Sequence, residues 1–448
     1  MNEEQKYLET MNFIKNLTTF GINLGLGRIK ELLKRLDNPQ TKIRVIHVGG
    51  TNGKGSTCAI LQSILIRAGY RVGMYISPHL NDYRERIRIN DELISPADII
   101  WSMAVIRPIL EKMLQEGLEH PTEFEVSTAL ALLYFAGKQP DFVIMEVGLG
   151  GGIDSTNVVD PLVSVLTSIG MDHMDYLGNS LAEITQVKAG IIKKGVPVVT
   201  SVDKPESLRI IEKVSAAKGS RLIKVGQDVN WQKKEGSINT FSYQGLRQNY
   251  NCLELSLSGE HQFVNAATAL AVCEILEDIS EKENALQISE TAVREGLKRV
   301  KWPARLELIA EEPKVLLDGA HNVDGMKTLA QALGEYGSGL FKRKRLILCI
   351  GMLRDKEIEK AVEIIVPLAD EIIVTKPDSP RAGDWEQLAR LAEKYLSKNN
   401  IRTVEDPIRA VQEALRSAEP DDMLCVTGSL YMLAPVRKYL LNHLAKEK

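Results

Sequence analysis

The sequence predicts an α/β protein in two units, a larger one on a mostly parallel sheet with a small β insertion and a smaller α/β one after it. Three observations predict this. Short apolar runs alternate with amphipathic stretches along most of the chain. A glycine-rich turn, Gly49-Gly50-Thr51-Asn52-Gly53-Lys54-Gly55-Ser56, separates the first run from the first amphipathic stretch. Between Trp231 and Leu257 the texture changes to polar-apolar alternation, the mark of antiparallel hairpins.

The elements follow in order. Ile43 to Val48 reads as a strand, Cys58 to Ala68 as a helix and Val72 to Ile76 as a second strand, which together make a βαβ unit. Further strands are expected at Phe142 to Val147, Leu162 to Ile169 and Val196 to Thr200, with helices at Pro96 to Gly117, Glu125 to Gly137 and Leu181 to Lys193. After the β insertion come helices at Asn265 to Glu277 and Glu290 to Lys298. Beyond Lys301-Trp302-Pro303 the alternation restarts, with strands at Val315 to Leu317, Leu346 to Ile350, Ile372 to Thr375 and Met423 to Val426. Helices fit between them at Val323 to Glu335, Glu357 to Ala369, Trp385 to Tyr395 and Ile408 to Ser417. The domain boundary is therefore expected near residues 299 to 303, giving units of 1–300 and 301–448.

A chain of 448 residues exceeds one ordinary core, which agrees with two units. Its 56 Lys and Arg against 59 Asp and Glu leave a net charge of -3, so no overall field draws in nucleic acid or an acidic membrane. No apolar run approaches the roughly 20 residues of a membrane span, and the start lacks the pattern of a signal peptide. A monomeric cytoplasmic protein is expected. The five cysteines are scattered, without a CxxC pair, as small buried apolar residues would be.

The glycine turn suggests a P-loop. Glycines allow positive φ and bring successive N–H groups toward a phosphate, and the following helix adds its N-terminal dipole. Lys54 would bring a point charge to the β and γ oxygens of ATP. In GxxxxGK[ST] a hydroxyl residue follows the lysine to reach Mg²⁺, whereas here Gly55 intervenes and displaces Ser56. Another oxygen ligand is then expected. The plain alternative is a strand-to-helix turn that holds no ligand.

Taken with this loop, Ser77-Pro78-His79-Leu80, Glu85-Arg86-Ile87, Glu146-Val147-Gly148-Leu149-Gly150-Gly151, Asp172-His173 and Lys188-Ala189-Gly190 resemble the folylpolyglutamate synthase and dihydrofolate synthase family, a branch of the Mur ligases. His261-Gln262 with Asn265, Trp302-Pro303-Ala304-Arg305 and Asp318-Gly319-Ala320-His321-Asn322 continue the resemblance over nearly the whole chain. It implies a Mur-ligase-type ATP- and folate-binding domain followed by a Rossmann-like glutamate ligase domain. It also implies the reaction: ATP phosphorylates the carboxylate of a folate or of dihydropteroate, L-glutamate attacks the acyl phosphate, and ADP and phosphate leave.

Residue by residue, the resemblance assigns Thr51, Asn52, Gly53, Lys54, Gly55, Ser56, Asn265, Arg305, Asp318 and His321 to the nucleotide. It assigns Ser77 to a metal between the β and γ phosphates, and Glu146 and His173 to a second metal near the acyl phosphate. Lys188, carbamylated at the matching family position, would support that second metal as an anionic oxygen ligand. Lys54, Glu146, His173 and Lys188 are thus the expected catalytic set. Thr122, Glu123, Phe124, Glu125, Ile153, Asp154 and Ser155, with Asn16 to Thr18, are expected around the pterin-bearing substrate. Where many bacterial members carry Arg, this chain has Gly152, a departure that bears on dihydropteroate more than on folate.

Each residue also has a plainer reading. Ser77 could cap a turn, Glu146 could be a satisfied strand-end acid, and His173 could bond Asp172. Lys188 could snorkel to solvent. Arg305 could pair with Glu307, and Asp318 could shape the turn before Gly319. Because Arg305 and Asp318 lie past the expected boundary, domain closure would complete the site.

Overall fold

The computed structural model describes residues 2–21, 23–280, 286–335 and 341–444. Residues up to Arg299 are built on an eight-stranded sheet: β1 (Val45–Gly49), β2 (Val72–Tyr75), β3 (Ile87–Ile89), β4 (Glu92–Leu93), β5 (Phe142–Glu146), β6 (Pro161–Leu166), β7 (Val198–Thr200) and β8 (Leu222–Lys224). The strand order is β4-β3-β2-β5-β1-β6-β7-β8, parallel except at the β2-β3-β4 edge. The chain runs from β1 outward to β2 on one side, then crosses back to β6 on the other. The ends of β5, β1 and β6 therefore border the switch point where open α/β sheets hold ligands.

Alternation along β1 sends Ile46 and Val48 into one core and Val45 into the other. Helices Lys54–Arg67, His261–Ser280 and Glu290–Arg299 cover the first face. Glu3–Asn16, Gly27–Arg35, Pro96–Gln115 and Glu123–Lys138 cover the second. The β insertion is present as the antiparallel sheet β9 (Asn230–Lys233), β10 (Thr240–Gln244) and β11 (Asn249–Glu254), whose Phe241, Tyr243 and Leu253 join the first core.

From Glu307 onward a second sheet forms from β12 (Glu307–Glu311), β13 (Lys314–Leu317), β14 (Leu346–Ile350), β15 (Glu371–Val374), β16 (Ile401–Thr403) and β17 (Met423–Thr427). Its order is β12-β13-β17-β14-β15-β16, with only the β12 edge antiparallel. Separate apolar clusters fill its two faces.

Several elements had no clear sequence signal. Helices Glu3–Asn16, Gly27–Arg35, Pro205–Lys218 and Leu430–Leu444, and the strands β3, β4, β8, β12 and β16, go beyond the expectation. The expected helix Leu181 to Lys193 stops at Lys188 and passes through a tight turn at Ala189–Ile191. The reason is packing, because a Cβ on Gly190 would lie 2.4 Å from the Gly152 Cα. The expected Trp385 to Tyr395 helix shortens to Gln387–Ala392. Among the described residues, no helix is long and apolar enough to cross a membrane.

The halves touch through polar pairs. Asn52 and Asn322 exchange amide hydrogen bonds, both 3.1 Å, and Lys204 meets Asp324 at 2.8 Å. Lys356 reaches Asp172 at 2.7 Å.

Candidate active site

Two cavities of about 510 and 340 Å³ meet at the carboxyl edge of the first sheet, sharing Ser77, Gly148, Leu149, His173, His321 and Leu430. The larger is lined by Gly50 through Ser56, Glu146, Lys188, Asn265, Arg305 and Asp318. It gathers every residue expected at the nucleotide and metals.

The loop is held from beneath by the end of β6. Thr51 N–H donates to the Ser168 carbonyl at 2.7 Å, and Thr167 Oγ1 donates to the Asn52 carbonyl at 2.8 Å. Gly50 has φ 142°, and a Cβ there would sit 1.9 Å from Thr167 Oγ1, so only glycine serves. Lys54 folds back on its own loop, donating to the carbonyls of Gly50 (3.2 Å) and Thr51 (3.0 Å). Lys188 Nζ donates to the same Gly50 carbonyl at 2.9 Å.

Gly55 has its own physical cause. A Cβ there would come within 2.8 Å of the Trp302 indole, which packs over the first turn of helix Lys54–Arg67 and receives the Arg88 guanidinium at 5.3 Å. Restoring the ordinary hydroxyl with Gly55→Ser is therefore expected to displace Trp302 and lower turnover. Steady-state kinetics should show kcat/KM for ATP falling about tenfold or more, since overpacking costs about 1–3 kcal/mol.

Glu146 ends β5, is buried, and accepts from the Ser77 N–H at 3.3 Å. Burial raises its pKa, with Lys54 and the Ser77 N–H opposing. His173 takes a left-handed φ of 52° before the short helix Met174–Leu177, and burial pushes its imidazole down to about 4, so it is neutral. Lys188 is pushed down to about 7, chiefly by burial and then by Lys54, so much of it is a free amine near neutral pH. It does not snorkel.

These donors suit a hard divalent cation. A hydroxyl, a buried carboxylate and a neutral imidazole line one cavity beside an amine able to take up CO₂. Among the described residues no three His, Cys, Asp or Glu side chains are arranged to hold a metal by themselves, so such an ion would also draw on Ser77 or a modified Lys188.

Asp172 does more than orient His173. Its carboxylate accepts from Lys356 Nζ (2.7 Å), Asn322 Nδ2 (2.9 Å) and the His173 N–H (2.9 Å). Against its burial, which raises it, Lys356 holds this carboxyl far below the usual range. Asp318 accepts from the N–H groups of Leu306 and Ala320, both at 2.9 Å, and so anchors the segment that carries Arg305. Arg305 does not pair with Glu307, which is taken by Arg437 at 2.7 Å.

The smaller cavity is lined by Thr122, Phe124, Ile153, Asp154 and Ser155, with Arg86, Lys356, Arg381 and Tyr431. The Phe124 ring fills the space beside Gly148, where a Cβ would sit 2.4 Å from its Cζ. Two expected members fall outside the lining. Glu123 holds Arg86 at 2.9 Å, while Glu125 closes the cap on Thr122 and binds Arg28 at 3.1 Å. They build the wall from behind. Gly21, Asn23 and Leu24 line the cavity in place of the expected Asn16 to Thr18. Sequence reading gave no role to Thr167, Ser168 and Lys356, because their importance lies in contacts that no local motif reports.

Comparison with known proteins agrees with this geometry. Residues 48–273 match the Mur ligase middle domain, and residues 304–430 match the Mur ligase, glutamate ligase domain. The dihydrofolate synthase/folylpolyglutamate synthase of Bacillus subtilis (strain 168) is 39% identical over 440 residues, covering 97% of this chain and 99% of the relative. A crystal structure of a folylpolyglutamate synthase from Thermotoga maritima superposes with a TM-score of 0.82 at 38% identity, covering 98% of this chain and 97% of the other. An Escherichia coli relative in complex with DHPP and ADP superposes with a TM-score of 0.85 at 31% identity, covering 98% of both chains.

Proposed function

Because the chain belongs to the Mur ligase family, in its dihydrofolate synthase/folylpolyglutamate synthase branch, we propose that its two joined cavities bind ATP and a pterin-bearing acid and make an amide with L-glutamate. The protein is an ATP-dependent ligase. The observation that carries the reading is the junction itself, where Ser77, His173 and His321 face both cavities. A terminal phosphate in the larger cavity and a carboxylate in the smaller would meet there.

In this reading the N–H groups of the glycine loop cradle the phosphates, and Lys54 exchanges the carbonyls of Gly50 and Thr51 for the β and γ oxygens. Arg305 reaches the phosphates with its planar fork, Asn265 and Asp318 hold the nucleoside, and His321 stands by the transferred group. The acceptor's carboxylate oxygen attacks the γ phosphorus and ADP leaves, forming an acyl phosphate. The amine of glutamate then attacks the acyl carbon, loses a proton and expels phosphate.

Ser77, Glu146, His173 and carbamylated Lys188 would hold Mg²⁺, which when bound supplies Lewis-acid neutralisation of phosphate and carboxylate charge. The free amine of Lys188 adds to CO₂ and releases one proton, turning a neutral amine into an anionic oxygen donor. Residues 1–300 carry the glycine loop and most of the acceptor cavity, residues 301–448 serve glutamate and add Arg305, Asp318 and His321 to the nucleotide site, and the working form is a cytoplasmic monomer.

Two acceptors fit this reading, a reduced folate extended at its γ-carboxylate and dihydropteroate converted to dihydrofolate. Gly152 favours the folate: its backbone is wedged against Gly190 and offers no side chain to the cavity next to Ile153. An ADP-release assay with tetrahydrofolate or dihydropteroate, each with and without glutamate, tests both. ADP release that depends on a pteroyl acid together with glutamate is expected, faster with tetrahydrofolate. Release supported only by a UDP-muramoyl peptide would overturn the reading.

A further inference from the structure

We infer that Thr156 and His47, neither of which lines either cavity, are positioning residues that hold the Asp154 carboxylate toward the acceptor substrate. The inference rests on the reading that the smaller cavity takes the pterin-bearing acid.

Asp154 lines that cavity yet is only 2% exposed. Its carboxylate accepts from the Leu149 N–H at 2.7 Å on one oxygen and from the Thr156 N–H at 2.9 Å on the other. The Thr156 hydroxyl donates to the second oxygen as well. Thr156 Oγ1 lies 2.8 Å from Nε2 of His47, a fully buried side chain in the middle of β1.

A hydroxyl has one proton. Thr156 gives it to Asp154, so the imidazole must be the donor to Thr156, and His47 carries its hydrogen on Nε2. Its Nδ1 is buried without a partner. A proton there would be an unpaired charged donor inside the core, so the ring stays neutral, in accord with burial and Lys193 pushing its pKa down to about 3. The chain of donors therefore runs one way, His47 Nε2–H to Thr156 Oγ–H to Asp154.

This one-way chain has a chemical consequence. A buried carboxylate tends to take up a proton, and burial does raise Asp154, with the Thr156 and Leu149 donors opposing. Donors supplied from behind keep it an acceptor and fix its plane, leaving the open side of Oδ2 for an N–H group of a ligand. The fitting partner is an N–H group on the edge of a nitrogen-bearing ring. Because His47 sits two residues before Gly49, the same strand fixes both the acceptor's anchor and the phosphate loop.

The test compares Thr156→Val, which keeps shape and removes the hydroxyl, with Thr156→Ser, which restores it, His47→Phe and Asp154→Asn in the full-length enzyme. KM for tetrahydrofolate, KM for ATP and kcat are measured, with ADP titration calorimetry and the thermal midpoint confirming a native fold. Thr156→Val is expected to raise the tetrahydrofolate KM about tenfold, the scale of one charge-assisted hydrogen bond, with the ATP KM within about twofold. Thr156→Ser should return it to within about threefold of the parent, and His47→Phe should shift the same constant by a smaller factor.

If Thr156→Val moves both KM values equally, or Thr156→Ser behaves like Thr156→Val, the positioning role is overturned. If Thr156→Val does not fold, the Thr156→Ser and His47→Phe pair decides by the same KM ratio. An unchanged tetrahydrofolate KM in Asp154→Asn would instead overturn the placement of the acceptor.

Discussion

Lys188→Ala is expected to lower kcat about a thousandfold while ADP still binds. The amine is buried at the end of helix Leu181–Lys188, donates to the Gly50 carbonyl, and is pushed down to about 7. A lysine kept only to brace the loop would gain nothing from a neutral amine. Neutrality is what reaction with CO₂ requires, and a carbamate would put two oxygens beside Lys54. Loss of such an anion from the metal and phosphate surroundings should cost about 4 kcal/mol of transition-state stabilisation. Single-turnover kinetics with ADP titration separates the two effects, and formate or acetate should restore part of the rate by filling the space. With ¹³C-bicarbonate the parent protein should show a carbamate resonance that Lys188→Ala lacks. Retention of turnover within tenfold would remove Lys188 from the mechanism.

Glu146→Ala should have a similar effect on kcat, about a thousandfold, by a different route. Glu146 stands at the end of β5 between the glycine loop and Ser77, buried and raised in pKa by that burial. A carboxylate maintained at such cost of solvation is expected to meet positive charge during the reaction. The nucleotide is held by other groups, so ADP affinity should change by less than about fivefold. Glu146→Gln keeps the shape but not the charge and should be nearly as slow. If alanine leaves turnover unchanged while nucleotide still binds, the catalytic set is misassigned.

The parallel sheet, the β insertion and the position of the glycine loop were legible because each writes a local period or a local turn into the chain. Edge strands such as β4, only Glu92–Leu93, are too short to write a period. Helix Pro205–Lys218 and the amino-terminal helix Glu3–Asn16 were missed where polar residues dilute the apolar stripe, and Leu430–Leu444 where Pro435 interrupts an apolar run. The nucleotide-side residues were legible because they fall in contiguous blocks. Their neighbours were not, since Thr167, Asn322 and Lys356 act across more than a hundred positions on atoms that only the folded sheet brings near. Gly55 shows the difference well: the sequence marked it as irregular, and the reason, Trp302, lies far along the chain.

The reciprocal pair of Asn52 and Asn322 carries a consequence for building hybrids. One partner lies in the phosphate loop and the other at the head of the second sheet's helix Val323–Glu335, where Asn322 also caps Gly325 and reaches Asp172. The loop's geometry is thus jointly owned by both halves. A chimera that grafts another ligase's carboxyl-terminal half onto this amino-terminal half must bring an asparagine at this junction, or its glycine loop will lose its brace before any substrate arrives.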